Sequence, residues 1–277
     1  MKKMDICSII NAKSGRCGED CKFCAQSARH DTDVSTYSLK NTGEIVDAAR
    51  SAKEIGAQRF GIVTSGNRLT QKELEAIREA ISRIKRDLGM DVCASLGALS
   101  KDELTLLKCA GLSRYHHNIE TSPRFYPQVV TTHTFQERVD TIKAAKEVGF
   151  EVCSGGIIGM GETWDDRREM ANILRELDVD SVPINILIPI KGTPFENLDM
   201  ISPEDVIKTI ALFREILKED KTIKIAAGRE AMPDDSQIDA FLAGANGMLI
   251  SGYLTIKGRP VEEDQKLIKE IENKWAE

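Results

Sequence analysis

The chain has 277 residues and a formal charge of −6, from 38 basic and 44 acidic side chains. With 41% hydrophobic and 30% charged residues it can bury a sizeable core, which excludes a disordered, collagenous or low-complexity protein. The acidic balance, with no stripe of Lys and Arg, argues against nucleic acid as a partner, and no apolar run approaches the roughly 18 residues of a membrane span.

At the start, Met1-Lys2-Lys3 and the short apolar stretch Ile6 to Ile10 have the charge of a secretory leader but neither its length nor its cleavage site, so a cytoplasmic location is expected. In a reducing compartment the seven cysteines point to metal or redox chemistry rather than to disulfides. Onward from there, short β-branched runs alternate with stretches whose apolar residues recur every three and four positions. The runs predict strands near 5–11, 58–64, 91–96, 113–118, 149–155, 181–187, 222–227 and 246–251. Helices are expected near 43–55, 70–88, 101–110, 134–147, 164–176, 203–219, 235–243 and 261–274. Thr70 with Glu73 and Ser100 with Glu103 match capping boxes, and Ser202 precedes Pro203 at a first-turn position. Gly56, Gly89, Gly111 and Gly149 follow helical stretches where a left-handed residue can end them. Without a break in composition, residues 1–277 read as a single α/β domain with a parallel sheet. An open doubly wound sheet has the same local pattern; eight strand–helix units at this length predict a closed (β/α)8 barrel of the TIM type.

The longest irregular stretch, about 12–41, follows the first strand, where barrel enzymes place active-site loops. It contains Cys17-Gly18-Glu19-Asp20-Cys21-Lys22-Phe23-Cys24. Three thiolates so spaced can hold three irons of a cubane and leave the fourth open to a ligand. A structural zinc site would be closed by a fourth ligand, for which His30 is the local candidate.

Three further cysteines sit singly on expected strands. Alternation places Cys93 with Asp91 and Ser95, opposite Val92 and Ala94, and Cys153 with Glu151 and Gly155, opposite Val152. If the apolar faces pack on helices, these thiols and Cys7 point into the lumen, where a second metal cluster could sit. Cys109, near a helix end, is expected to pack. On the fourth strand His116, Asn118 and Glu120 face one way; Asn185 interrupts an apolar run, and Arg229 ends another. Buried polar groups of this kind either satisfy one another or meet a ligand.

The cysteine loop, with an aromatic residue before its last cysteine, resembles that of the radical S-adenosylmethionine (SAM) enzymes. Within that superfamily the segments YHHNIETSPRFY (115–126), TTHTFQERVD (131–140), VCSGGIIGMGET (152–163), VPINIL (182–187), KGTP (191–194) and AGREAM (227–232) resemble the biotin synthases over nearly the whole chain. The resemblance implies a [4Fe-4S] cluster on Cys17, Cys21 and Cys24 whose free iron binds SAM. It also implies a 5′-deoxyadenosyl radical that removes hydrogen from dethiobiotin, and an auxiliary iron-sulfur cluster that donates sulfur. By the same resemblance Phe23 presents its backbone to adenine, Thr64 offers a carbonyl to the methionyl amine, and Asn118 and Glu120 bind the ribose. Arg138 reaches the methionyl carboxylate, Ile157 packs on adenine, Asn185 touches substrate and cofactor, and His116 stands where the family holds the ureido ring with Asn.

Cys93, Cys153 and Arg229 are carried over as auxiliary ligands. The family's second-strand cysteine aligns with Gly61, which cannot ligate, and Cys7 on the neighbouring strand, roughly 5 Å away, is the expected replacement. The auxiliary centre is then either the family's usual [2Fe-2S] cluster or a four-iron cluster with an extra sulfide. An electron donor such as flavodoxin or ferredoxin and a homodimer are also implied. Hydrogenase-maturation and methylornithine-forming enzymes are the alternative within the superfamily, GIVTSG (61–66) being compatible with them. An iron-sulfur carrier or sensor is the alternative outside it.

Overall fold

Each strand divides its side chains between two surroundings. In β3 (Asp91–Ser95), Val92 and Ala94 are buried against helices, while Asp91, Cys93 and Ser95 are half-buried on the other side. The two-residue period of the sequence is therefore the alternation between helix layer and lumen. The structure is a computed structural model and describes residues 3–252, 254 and 258–277.

The other strands are β1 (Asp5–Lys13), β2 (Arg59–Thr64), β4 (Arg114–His116), β5 (Glu151–Cys153), β6 (Gly156–Ile158), β7 (Ser181–Ile186), β8 (Thr222–Ile225) and β9 (Gly247–Leu249). They pair in parallel in the order β5-β4-β3-β2-β1-β9-β8-β7, and the pairing of Cys153 with Ser181 joins β5 to β7 and closes the ring. All eight expected strands are present, and the closed barrel is the architecture. One departure lies in the fifth strand, expected over 149–155. It ends at Cys153 and resumes as β6, which pairs with β7 and meets the chain after β4 through a single bridge from Gly156 to Glu120. Glycine explains the break. A Cβ at Gly155 would lie 2.0 Å from the Pro183 carbonyl oxygen and one at Gly156 2.1 Å from that of Glu120, so only glycine lets these backbones approach.

The helices are α1 (Thr42–Glu54), α2 (Gln71–Arg83), α3 (Lys101–Cys109), α4 (Tyr126–Val129), α5 (Phe135–Glu147), α6 (Trp164–Glu176), α7 (Pro203–Leu217), α8 (Asp234–Leu242) and α9 (Val261–Ala276). A π-helical turn, Ile84–Leu88, carries α2 to the end expected for it. Thr70 and Ser100 form complete capping boxes, as do Asn41, Thr134 and Thr163, and Ser202 caps α7 ahead of Pro203. The short α4 was not foreseen; it starts with Pro127 in its first turn and lies in the loop that faces the cysteine cluster. Between strands and helices runs a continuous apolar layer including Ile62, Val92, Ile142, Val182 and Ile223. Burial of each such side chain contributes about 1.5–3 kcal/mol, which leaves the lumen free for polar groups.

Candidate active site

The lumen is layered along its axis. At the amino-terminal ends of the strands lies an ionic floor: Glu151 receives Arg114 at 2.9 Å and Arg59 at 3.3 Å, and Lys224 meets Asp5 at 2.7 Å. Above it stand Cys7, Cys93 and Cys153. Lys224 Nζ is 2.6 Å from Cys7 Sγ, and Cys7, Cys93 and Cys153 are near enough to influence one another's ionisation. Burial pushes the Cys93 thiol up to about 12 and raises Cys7 as well, the latter against the pull of Lys224. Bare thiolates are thus disfavoured here, and a metal would supply the missing positive charge.

Gly61 pairs with Cys93 across β2 and β3. A Cβ at Gly61 would lie 2.8 Å from Cγ2 of Ile9 and 3.2 Å from Cys93 Sγ, so Ile9 already fills the place of a second-strand side chain. Cys7, two residues earlier on β1, is buried on the same side as the other two thiols.

Arg229 is not with them. Its guanidinium is wholly buried and donates to the Leu249 carbonyl at 3.0 and 3.1 Å, to Gln237 at 2.9 Å and to Asp264 at 2.6 Å. These partners belong to β9, α8 and α9. Gly228, with φ +87°, turns the chain out of the barrel wall after β8, and a 3-10 turn over Arg229–Ala231 points the side chain into the helix layer. Arg229, expected as ligand or neighbour of the auxiliary centre, is engaged elsewhere, and among the described residues the cation within hydrogen-bond distance of a lumen thiol is Lys224. Sequence reasoning missed it, although a lysine alternating with Ile223 and Ile225 carries the same period-2 signal that located Cys93.

A polar belt follows. Asn118 donates to Glu120 at 3.3 Å and accepts the Gly155 N–H at 3.1 Å; Asn185 bridges the Gly156 carbonyl and the Ala227 N–H at 3.1 and 3.2 Å. Glu120 has φ +68° and its carbonyl accepts the Ile157 N–H at 2.9 Å, so the ribose and adenine candidates are adjacent through backbone contact. Burial raises the Glu120 carboxyl, against Arg138 and His116. Burial lowers His116 to about 4, which makes it a neutral imidazole able to donate and accept once each. Thr64 ends β2 with its hydroxyl oxygen buried and, among the described residues, without a hydrogen-bond partner.

The cysteine loop closes the carboxyl-terminal end. Cys24 N–H donates to Cys21 at 2.9 Å and Cys17 N–H to Gln26 at 3.0 Å. Phe23 packs between Phe125, Val129 and Met160 on one side and Tyr126 and Val130 on the other, with Ile157 in the same apolar patch. Cys17, Cys21 and Cys24 share one electrostatic environment, and burial raises Cys21 strongly and Cys24 to about 11. His30 turns Nδ1 to the Cys24 carbonyl at 3.0 Å rather than joining the thiols. Among the described residues no three His, Cys, Asp or Glu side chains close around a single ion. A cubane asks its three thiolates to stand at separate corners, so the donor chemistry of the loop suits a cluster. Arg138 reaches the same region, 3.2 Å from the Tyr126 hydroxyl.

Residues 12–174 match the Radical SAM superfamily and residues 183–274 the Biotin and Thiamin Synthesis associated domain. The chain is 57% identical over 267 residues to the biotin synthase of Thermotoga petrophila, covering 96% of this chain and 89% of the relative. To that of Pelotomaculum thermopropionicum it is 47% identical over 269 residues, covering 97% and 84%. Among solved structures, methylornithine synthase superposes with a TM-score of 0.82 over 98% of this chain and 82% of its own, at 19% identity. That last likeness concerns the fold alone.

Proposed function

The chain belongs to the biotin synthase family of the radical SAM superfamily, and on that premise we propose which of its residues carry the reaction. It is an enzyme, a radical SAM biotin synthase that converts dethiobiotin to biotin. The bound [4Fe-4S] cluster supplies the electron that cleaves SAM to methionine and a hydrogen-abstracting 5′-deoxyadenosyl radical, and an auxiliary cluster supplies sulfur.

Cys17, Cys21 and Cys24 hold the first cluster. Arg138 pairs with the methionyl carboxylate of SAM, Thr64 offers its carbonyl to the methionyl amine, Asn118 and Glu120 hold the ribose, and Phe23 and Ile157 flank the adenine. His116, Asn118 and Asn185 contact dethiobiotin. The neutral ring of His116 can give one hydrogen bond to a ureido oxygen or take one from a ureido N–H. The apolar patch around Phe23 keeps water from a reactive carbon radical.

Cys7, Cys93 and Cys153 hold the auxiliary cluster, with Lys224 as the charge beside it. With Arg229 engaged by Asp264, three thiolates are the protein's ligand set, which favours a four-iron cluster with one open iron and an extra sulfide over a [2Fe-2S] centre. The observation that carries this assignment is the gathering of Cys7, Cys93 and Cys153 with Lys224 at one level of the lumen. Reduction by flavodoxin or ferredoxin, a homodimer, a single working unit over residues 1–277 and a cytoplasmic location complete the proposal. None of the seven cysteines is paired, and among the described residues no helix is long and apolar enough to cross a membrane.

Iron and sulfide are counted, and Mössbauer spectra recorded, on anaerobically reconstituted protein with and without dethiobiotin. Cys7→Ala is expected to lose the second cluster and biotin formation while retaining the loop cluster and SAM cleavage. A second cluster intact in Cys7→Ala would refute the ligand set.

A further inference from the structure

Arg114 stands at the floor of the lumen with part of its guanidinium unused. On β4, Tyr115 packs in the apolar layer behind the strand, so Arg114 and His116 on either side of it face the lumen. Arg114 pairs with Cys93 of β3 on one side and with Glu151 of β5 on the other, and His116 pairs with Cys153. Register alone therefore sets Arg114 beside one lumen thiol and one pleat below another.

The side chain is buried. Its Nε and Nη2 both donate to the same oxygen of Glu151, at 3.0 and 2.9 Å. Its Nη1 is buried as well and has no hydrogen-bond partner among the described residues. The neighbouring cations are committed. Arg59 gives Nη1 to Ser113 at 2.7 Å and Nη2 to Glu151 at 3.3 Å, and Lys224 Nζ lies against Asp5 and Cys7.

A guanidinium keeps its charge and can only donate, and a buried N–H without an acceptor is costly. Nη1 therefore suits an anion or an electron-rich sulfur. Cys153, Asp5 and Cys93 lie near enough for negative charge on any of them to act on the guanidinium, and of these Asp5 is already held by Lys224. What remains on that side is the sulfur of the thiol level.

We propose that Arg114 is a positioning residue of the auxiliary centre: Nη1 donates to a sulfur of the cluster held by Cys7, Cys93 and Cys153, and in doing so retains its extra sulfide and raises its reduction potential. Glu151, half-exposed and shared with Arg59, anchors the group from below. The proposal rests on the reading that these three thiolates hold a second cluster. A cationic N–H directed at cluster sulfur favours the more negative, reduced state, which is why the potential rises.

The test is an anaerobic redox titration of the reconstituted full chain, followed by electron paramagnetic resonance, with iron and sulfide counted on the same samples. Added SAM, which perturbs the loop cluster, tells the two signals apart. In Arg114→Met the second cluster is expected to lose its extra sulfide and to titrate at a more negative potential, at unchanged loop-cluster iron. Arg114→Lys, which keeps a charged donor on the same strand position, is expected to recover much of both. Full sulfide with an unmoved midpoint in Arg114→Met would overturn the proposal. Should Arg114→Met fail to load the second cluster, Glu151→Gln decides. That variant removes the ion pair but leaves the cation, so it must still load the cluster with its sulfide; losing the cluster there as well would make Arg114 a support for the barrel floor only. Cys93→Ala separates the two layers of inference, because a second cluster that survives there removes the ligand set itself.

Discussion

Lys224 Nζ lies 2.6 Å from the sulfur of Cys7 and 2.7 Å from a carboxylate oxygen of Asp5, joining β8 to β1 across the floor of the barrel. Burial works against its charge, but Cys7 and Asp5 more than compensate, and its pKa is held above the usual lysine value. Lys224→Met is expected to cost about 1–3 kcal/mol in anaerobic urea unfolding, because Asp5 loses its partner in a mostly buried position. The reconstituted variant should also hold less second-cluster iron and sulfide at unchanged loop-cluster content, whereas Lys224→Arg should retain more of both.

Gly61 bears on the role proposed for Cys7. A side chain at 61 collides first with Ile9, which is β-branched and cannot swing its Cγ2 away cheaply. Gly61→Cys is therefore expected to destabilise the protein by about 1–3 kcal/mol through overpacking. The double variant Gly61→Cys with Ile9→Ala should recover part of that loss in the same unfolding assay, since it empties the space the new side chain enters. A fully stable single variant would mean that Ile9 does not exclude a second-strand ligand.

Much of this arrangement is legible in the sequence because period-2 alternation reports which way a strand residue points. Cys93 and Cys153 fall on the less apolar side of their strands and lie together in the lumen. The capping boxes at Thr70 and Ser100 mark helix starts through contacts within four residues, so they too are local signals. The surroundings of Arg229 are not legible for a physical reason: four residues after β8 ends at Ile225, alternation no longer applies, and the left-handed Gly228 redirects the chain. The contacts of His133 with Cys21 and Tyr126 are not legible, because the packing of a loop against α4 and α5 sets them and no local pattern encodes it. The break between β5 and β6 is hidden likewise, since it follows from the approach of Pro183 and Glu120 to two glycines.

Asp166 supports the turn behind Glu120. Its carboxylate accepts from Ser122 at 2.6 Å and Arg124 at 2.8 Å, and caps α6 with Thr163. Burial pushes its carboxyl up, but the hydrogen bonds from Ser122, Thr163 and Arg124 outweigh that and leave a pKa of about 2. A pKa depressed in the folded protein means stability that is fully present above the unfolded value, about 3.9, and is lost as pH falls through the folded one. Asp166 should thus contribute to acid unfolding between about pH 4 and pH 2 and to no pH dependence between 6 and 8. Asp166→Asn is expected to cost about 1–3 kcal/mol at neutral pH and to flatten the acid limb of a stability–pH profile.

Arg229 and Asp264 form an ion pair at 2.6 Å with both side chains wholly buried, and it ties the turn after β8 to the C-terminal helix α9. Removing one partner leaves an uncompensated buried charge, so Arg229→Met should destabilise the protein by about 3 kcal/mol. That figure is the low end of the usual range because Arg259 stands 3.6 Å from the other Asp264 oxygen. Arg229→Met combined with Asp264→Leu should restore most of the loss, since two apolar side chains need no partners. In both variants iron and sulfide per folded chain are expected to equal the parent's, because the guanidinium is spent on Leu249, Gln237 and Asp264 rather than on a cluster. Loss of the second cluster with unfolding unchanged would return Arg229 to the coordination sphere and displace Lys224 as the cation beside it.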